Sequence, residues 1–361
     1  MDPDPDRNYC MKNYSSPFGP IYQEESFEQL ASRLATLSYS SVFIIADSNT
    51  ATHCVQLLEK VISNYTIKVI THGEQNKTMH QCGITWSYMI ENGADRKSII
   101  LNVGGGMICD FGGFVASCYQ RGIRFINIPT SLLAMTDAAI GGKTGVDFQG
   151  YKNYVGVFNS PEFVWINTSF LKTLPEEEIK NGLTEIVKHA IIGSVELWQT
   201  LEKIQDIQNI DWNELLELSI PVKLNIIQQD PYEKGMRKAL NFGHTIGHAL
   251  ESYFLTKDTP LSHGQAVALG MLAESKIALN ASHISSTDFE KINTLIFRLL
   301  EPPQIELPSF KELKPWMMRD KKNVSQDLSF SLPRGIGACQ WGLGGLDPAP
   351  AWEWLRKISF R

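Results

Sequence analysis

Arg237, Asn241, His244 and His248 stand 4, 3 and 4 residues apart in the run RKALNFGHTIGH. On an α-helix those intervals bring all four side chains onto one face. Two histidines at i and i+4 can share a metal ion, as on zinc-binding helices. The run lacks the glutamate of HExxH, so a third ligand must come from elsewhere in the chain. The flanking Leu240, Phe242, Ile246 and Leu250 are apolar, which argues that the helix is buried. A buried Arg-Asn-His-His stripe needs partners or a ligand, and that weighs against an ordinary solvated face. Gly243 and Gly247 leave room for another backbone or a ligand to approach. Two residues are candidates for the third ligand: Glu185 in GLTEIVKH and His263 in LSHG. Taken singly, each has a bland reading, a solvated glutamate and a turn histidine.

Two glycine-rich runs invite phosphate chemistry. Gly104-Gly105-Gly106 ends an apolar run and precedes Asp110. Backbone N–H groups at such a strand-to-helix turn suit a pyrophosphate, although a plain tight turn explains the glycines equally well. Gly141 to Gly145 reads GGKTG, but a Walker A motif needs glycine at position 137, which is Asp137, so the P-loop reading fails. Taken singly, Lys143 and Lys152 beside Asn153 read as surface charges; together with Arg121, Lys188, Lys223, Arg237 and Lys321 they are many cations. If they converge, the substrate carries phosphate or carboxylate groups.

The elements that must position these residues follow from periodicity. Apolar runs at Ser41–Ala46, Ile67–Ile70, Ser98–Val103 and Phe125–Ile128 alternate with helical segments Cys54–Ile62, Thr78–Asn92 and Asp110–Tyr119. That alternation predicts βαβ units and a mostly parallel sheet. Residues 1–20 read as a loose lead-in. From Glu176 onward helical periodicity dominates, over Glu177–Ile191, Val195–Ile204, Trp212–Gln229, Met236–Tyr253, Gly264–Asn280 and Ser286–Leu300, with one strand-like run at Leu328–Leu332. The expected architecture is an α/β domain over 1–175 followed by a mostly helical domain over 176–361.

Composition narrows the function. The chain has 361 residues, 43% hydrophobic and 20% charged, with a net charge of -6. An acidic balance argues against a nucleic-acid scaffold, while a local cationic pocket remains compatible with a small anionic substrate. Cys10, Cys54, Cys82, Cys109, Cys118 and Cys339 form no CxxC pair, which reads as reduced thiols. The acidic, proline-containing start MDPDPDRNYC is unlike a signal peptide, and no apolar run approaches the ~20 residues of a membrane helix. A cytoplasmic enzyme without membrane or nucleic-acid partners is expected.

The long run GGGMICDFGGFVASCYQRGIRFINIPTSLLAMTDAAIGGKTGVDFQGYKN resembles the core of the 3-dehydroquinate synthase family, as do GLTEIVKH, DPYEKGMRKALNFGHTIGHALE, SHG and MRDKKN. The resemblance extends from about Asp47 to about Asn323. It implies an NAD-binding α/β N-terminal domain, a helical C-terminal domain, a site in the cleft between them, a divalent metal (zinc in most members, cobalt as a substitute) and a homodimer. It implies Glu185, His244 and His263 as metal ligands. Asp47, Asn49, Glu74, Lys77, Gly105, Gly106, Asp110, Thr130, Ser131, Thr173 and Leu174 would hold NAD. Lys143, Lys152, Asn153, Lys188, Arg237, Asn241 and His248 would surround the reacting substrate, with Arg121, Asp137, Lys223 and Lys321 binding it. His248 becomes a substrate contact in this assignment and not a metal ligand.

The reaction so implied belongs to the shikimate pathway of aromatic amino acid biosynthesis. It converts 3-deoxy-D-arabino-heptulosonate 7-phosphate to 3-dehydroquinate and phosphate. Transient oxidation at C5 by NAD acidifies the neighbouring C–H, phosphate is eliminated, the hydride returns, and the opened ring closes by an intramolecular aldol step. NAD is regenerated, so the enzyme is a lyase. Ser131 in place of threonine, FGGFVASC, His189 in place of tyrosine and the loop FLTKDTPLS depart from the usual pattern without removing a functional side chain. Two alternatives are a cyclase acting on sedoheptulose 7-phosphate and a metal-dependent polyol dehydrogenase. Arg237, suited to a substrate carboxylate, favours the heptulosonate reading.

Overall fold

The computed structural model describes residues 12–318 and 328–358. Lys321 therefore lies outside the described residues. The chain divides into two compact units at Ile179 and Lys180.

The first unit is built on a seven-stranded sheet. Its strands are β1 (Lys12–Tyr14), β2 (Ile21–Gln23), β3 (Val42–Asp47), β4 (Thr66–Ile70), β5 (Ile99–Gly104), β6 (Arg124–Pro129) and, after a hairpin, β9 (Val164–Ile166). The hairpin pairs β7 (Lys143–Phe148) with β8 (Tyr151–Phe158). Sheet order is β1-β2-β9-β6-β5-β3-β4, and only the β1–β2 pair is antiparallel. So β1 turns the end of the expected lead-in into an edge strand. The central strands β3, β5 and β6 are buried almost without a break. That is the pattern of a parallel sheet covered on both faces. Phe43, Ile45, Ile100 and Phe125 of the sheet pack with Cys82 and Met89 of α2 (Met79–Glu91) and with Phe111, Phe114 and Val115 of α3 (Gly106–Cys118). The remaining long helix is α1 (Phe27–Ala35). After β3 the chain moves to β4 on one side and then to β5 on the other. Such a reversal of strand order opens a crevice at the carboxyl ends of the two strands.

The second unit is helical. It contains α4 (Glu176–Gly193, which begins four residues before the unit does), α5 (Val195–Lys203), α6 (Trp212–Gln229), α7 (His244–Phe254), α8 (His263–Asn280), α9 (Ser286–Leu300), α10 (Phe310–Met318) and α11 (Ala349–Ile358). A small hairpin of β10 (Phe330–Pro333) and β11 (Cys339–Leu343) completes it. Helix α8 is buried on nearly every side, as a helix apolar all round must be.

One expectation is overturned. Met236 to Tyr253 is not a continuous helix. Met236–Asn241 is a 3-10 turn, Phe242 is extended in ψ, and Gly243 is left-handed with φ 78° before α7 starts at His244. Arg237 and Asn241 therefore do not share a helical face with His244 and His248. The break has a packing reason. Helices α7 and α8 approach so closely that a Cβ on Gly270 would lie 1.9 Å from the Gly243 carbonyl oxygen. A Cβ on Gly243 would itself fall 2.5 Å from Met271. Only glycine meets both the backbone angle and the space.

The first turn of α7 has no side-chain cap of its own. Glu274, fully buried on α8, supplies one by accepting from Gly243 N at 2.7 Å and Ile246 N at 3.0 Å. These are the two donors that a capping box satisfies from within a helix, here satisfied by one carboxylate from a neighbour. Glu274→Ala leaves both N–H groups buried without that acceptor and is expected to lower the unfolding free energy by on the order of 2–4 kcal/mol. Glu274→Gln, which keeps one acceptor oxygen, is expected to lose about half as much. Denaturant unfolding of the two variants checks the order.

Candidate active site and metal centre

In the helical unit, Glu185 is the centre around which the polar residues gather. It lies on α4 and is fully buried. Asn181, one turn earlier, accepts hydrogen bonds from Ser262 Oγ at 2.8 Å and Gly264 N at 2.9 Å, and so ties α4 to the start of α8. That link brings His263, the first residue of α8, to Glu185. His263 is thus a helix N-terminal residue and not the turn residue of the bland reading. The cap from Glu274 does the same for His244, the first residue of α7.

Glu185 Oε1 lies 3.5 Å from His244 Nε2 and 3.4 Å from His263 Nε2. Its Oε2 is paired with the buried Lys188 ammonium. Oε1 has no hydrogen bond of normal geometry among the described residues. His244 Nδ1 lies 3.0 Å from the Phe242 carbonyl oxygen. A carbonyl only accepts, so Nδ1 carries the proton and Nε2 presents a lone pair. A lone pair and a carboxylate oxygen then face each other in a buried place, which calls for a cation between them. His263 Nδ1 contacts Glu251 Oε2 at 3.3 Å, the outer carboxylate that commonly orients a ligating histidine. One atom from each of Glu185, His244 and His263 lies within 4.8 Å of the others. In a tetrahedral site with bonds of ~2.1 Å the ligand atoms stand ~3.4 Å apart, and the two Glu185–histidine distances match. The residues fit a divalent ion with an O,N,N donor set and open positions.

A second group, His248, Glu251 and His263, also lies within metal-ligating reach. It would use the Nδ1 side of His263, and it leaves Glu185 Oε1 unsatisfied. Among the described residues, no candidate group contains both His244 and His248, although their rings meet edge-to-face at 5.0 Å. The i,i+4 spacing thus brings the two rings together without making them joint ligands. Glu251, three residues after His248 on α7, went unnoticed in the sequence; its position on the same helix face was the available signal.

The other polar residues of this unit lie on different elements. Arg237 is buried in the 3-10 turn, where its guanidinium donates to the Pro231 carbonyl and its backbone N–H to Asp230 at 3.0 Å. Asn241 donates to Glu233 at 3.1 Å. Lys223 is buried on α6 and Lys188 on α4. All three cations, Arg237, Lys223 and Lys188, are held in the interior.

In the α/β unit, Asp47, the glycines 104–106, Thr130 and Ser131 lie at the carboxyl ends of β3, β5 and β6, in register across the sheet. This is the crevice set by the reversal of strand order. Helix α3 begins at Gly106, four residues before Asp110, so the glycines themselves form the helix N-terminus. A Cβ at Gly105 or Gly106 would meet Ser131 Oγ at 3.2 Å or Ala138 at 2.9 Å. Asp47 caps the short helix after β3, accepting from Asn49 N at 2.8 Å and Thr50 N at 2.9 Å. Thr173 and Leu174 follow β9 at the end of a 3-10 segment that packs against residues 51–55. Gly141–Gly145 opens into strand β7 with no helix after it, as rejection of the P-loop requires.

Lys77, with a side chain 2% exposed, is bonded to Asp110 at 2.7 Å, Asn153 at 2.6 Å and Glu74 at 3.4 Å. Burial disfavours its charge, but the carboxylates of Asp110 and Glu74 outweigh that and push its pKa up to about 12. Lys143 and Lys152 are exposed on β7 and β8, and Asp137 is half-buried in the short π-helical segment Ala134–Ala138 before β7. The structure does not bring Arg121 to this group. It lies on an exposed turn beyond the C-terminus of α3, and the 13 residues of α3 put it about 20 Å from the glycines.

Comparison with known proteins places the chain. Residues 67–181 match the 3-dehydroquinate synthase N-terminal family and residues 182–323 the 3-dehydroquinate synthase C-terminal family. Solved structures share its fold. The 2-epi-5-epi-valiolone synthase of Streptomyces hygroscopicus subsp. jinggangensis 5008, solved with NAD+ and Zn2+ bound, superposes with a TM-score of 0.83 at 24% identity, over 98% of this chain and 99% of that one. A 2-deoxy-scyllo-inosose synthase, solved with carbaglucose-6-phosphate, NAD+ and Co2+, also superposes at 0.83 and 24% identity, over 96% and 99%. Sequence goes further. The chain is 39% identical to the 3-dehydroquinate synthase of Parabacteroides distasonis over 86% of its own length and 89% of that protein's. It is 38% identical to that of Leptospira interrogans serogroup Icterohaemorrhagiae serovar copenhageni over 88% and 90%. The chain belongs to the 3-dehydroquinate synthase family.

The geometry around Glu185 predicts how the metal-free protein titrates. Burial alone would lower the pKa of His263, but its contacts to Glu185 and Glu251 raise it from 6.5 to about 9. Burial and the Lys188 charge hold His244 well below its ordinary value. In metal-free protein at pH 7, His263 is expected to be protonated and His244 neutral. Histidine NMR titration checks this, and Glu185→Gln is expected to shift the His263 transition down toward neutrality.

Proposed function

We propose that the chain is a 3-dehydroquinate synthase that converts 3-deoxy-D-arabino-heptulosonate 7-phosphate to 3-dehydroquinate and phosphate. The observation that carries the reading is its identity of 38–39% to enzymes of that name over most of both chains. The site supports it residue by residue. Glu185, His244 and His263 would hold a divalent metal, zinc or cobalt, and the crevice at Asp47, Gly105, Gly106, Thr130 and Ser131 would hold NAD. When bound, NAD supplies a reversible hydride acceptor and the metal polarises a substrate C–O group. The chain's own side chains do the rest. The buried Arg237 guanidinium suits the substrate carboxylate, since its planar fork matches two oxygens. Lys152 and Asn153 would receive the phosphate, and the N-terminus of α3 favours the negative charge of a pyrophosphate. Elimination needs a base near the leaving group. The departing phosphate can serve as that base, so the side chains need only hold it in place. His248 would be one such contact. The same reading takes the enzyme to be a cytoplasmic homodimer; no described helix is long and apolar enough to cross a membrane.

The test supplies heptulosonate phosphate or sedoheptulose 7-phosphate to the protein with NAD and Zn2+. Phosphate release from the first only, abolished by a chelator and without net NADH, is expected. Release from sedoheptulose 7-phosphate alone would mean a different cyclase, and steady accumulation of NADH a dehydrogenase.

His248 separates the two candidate metal groups that contain His263. His248→Ala is expected to retain one metal ion per chain while losing activity by about 100-fold or more, in the range of a lost positioning or proton-transfer group. Loss of the metal in that variant, measured by elemental analysis, would instead select the group of His248, Glu251 and His263.

A further inference from the structure

The β7–β8 hairpin carries an irregularity that the proposed chemistry leaves unexplained. Gln149 and Gly150, both left-handed at φ 49° and 82°, turn the chain between Phe148 and Tyr151, which pair. The next regular pair is Val146 with Val155. Asp147 alone therefore faces the three residues Lys152, Asn153 and Tyr154. Asn153 absorbs the excess with a left-handed backbone, φ 49°. Bulges of this kind re-aim a side chain, and they recur beside active sites. Asparagine is among the few residues that tolerate the conformation, at a modest cost.

A closed ring of hydrogen bonds holds the bulge. Asp147 N donates to the Lys77 carbonyl at 2.8 Å. Asn153 N donates to Asp147 Oδ1 at 2.8 Å. Lys77 Nζ donates to Asn153 Oδ1 at 2.6 Å. The ring starts and ends on Lys77, whose other two protons go to Asp110 and Glu74. An ammonium is a donor only, so the atom of the Asn153 amide that faces it must be the oxygen. The NH2 group is thereby turned the other way, and among the described residues it has no partner.

We propose that Asp147 and Lys77 are positioning residues that lock the Asn153 amide with its oxygen inward and its NH2 outward, making Asn153 a dedicated donor to the phosphoryl oxygens of the substrate. The inference rests on the reading above, in which Asn153 meets a phosphorylated substrate, and adds Asp147 to the working residues. It also gives the ammonium of Lys77 two duties. One of its partners, Asp110, belongs to the NAD side and the other, Asn153, to the phosphate side.

The test is direct binding, which does not depend on turnover. Inorganic phosphate is titrated into the full chain with NAD and Zn2+ supplied, and NAD is titrated separately by fluorescence. Asp147→Ala is expected to weaken phosphate binding about tenfold or more, the loss of one hydrogen bond to a charged group. NAD affinity is expected to stay within about twofold, and Asp147→Asn, which keeps an acceptor oxygen, to recover most of the phosphate affinity. Lys77→Met is expected to weaken both ligands. Should Asp147→Ala fail to fold, the exposed position 153 decides. Asn153→Asp would turn an acceptor toward the phosphate and is expected to bind it more weakly than Asn153→Ala. Unchanged phosphate affinity in folded Asp147→Ala would overturn the proposal. So would equal loss of both ligands in that variant, Asn153→Asp binding as well as Asn153→Ala, or a wild-type chain that binds no phosphate. A wild-type chain that binds phosphate through Asn153 but does not turn over heptulosonate phosphate would overturn the assigned reaction and leave this inference standing.

Discussion

A fully buried carboxylate is the constraint on which the helical unit depends. Glu185 is fully inside, and burial alone would force it to take up a proton. Lys188 first, then the neighbouring histidines, hold its pKa well below the usual carboxylate range. A buried ion pair contributes little net stability, but removing one partner costs about 3–5 kcal/mol because the other charge is left stranded. The surrounding helices are accordingly fastened where they serve this group. Asn181 anchors α4 to the start of α8, and Glu274 anchors α7 to the side of α8. Each fastening places one histidine against Oε1.

The α/β unit solves a comparable problem by different means. There the buried charge is a cation, Lys77, and the carboxylates are at its edges. The ammonium can donate in three directions, so it organises three neighbours at once. The sheet contributes a second kind of order, since parallel strands in register end together and offer their backbone N–H groups and following glycines along one line. Anion binding at such a place needs few side chains, because the helix dipole and free N–H groups do the work. This explains how a chain of net charge -6 can be built for a phosphorylated substrate.

Much of this was legible in the residues before any fold was known. The strand-helix alternation up to residue 175 and the helical periodicity after it correspond to the observed elements, except that Cys54–Ile62 is helical only to Leu58 and Met236–Tyr253 is broken before His244. Trp212–Gln229 and Ser286–Leu300 were read to their ends, because long amphipathic helices between clear caps leave little ambiguity. The short edge strands and the β7–β8 hairpin were missed. Three residues have no period to detect, and KTGVDF with YKNYVGVF does not read as a hairpin without its partner strand. Among the site residues, His244 stood out by spacing; Glu185 and His263 were candidates that only the family resemblance assigned as ligands, and the glycines 104–106 read equally well as a tight turn. Glu251, Asp147 and Glu274 did not stand out.

What the sequence by itself determined is the inventory: which side chains are available, which helices and strands carry them, and which family they belong to. What only the tertiary structure decided is who meets whom. The stripe from Arg237 to His248 is regular in spacing but broken in space, because Gly243 must turn left-handed where Gly270 presses against its carbonyl. That contact lies 27 residues away along the chain and has no trace in a local pattern. The same holds for Glu274, an acidic residue on an apolar helix that would look like an error until its two N–H partners are seen. Local periodicity records interactions within an element. Metal triangles, caps supplied by a neighbouring helix and hydrogen-bond rings join elements, and their geometry exists only once the chain has packed.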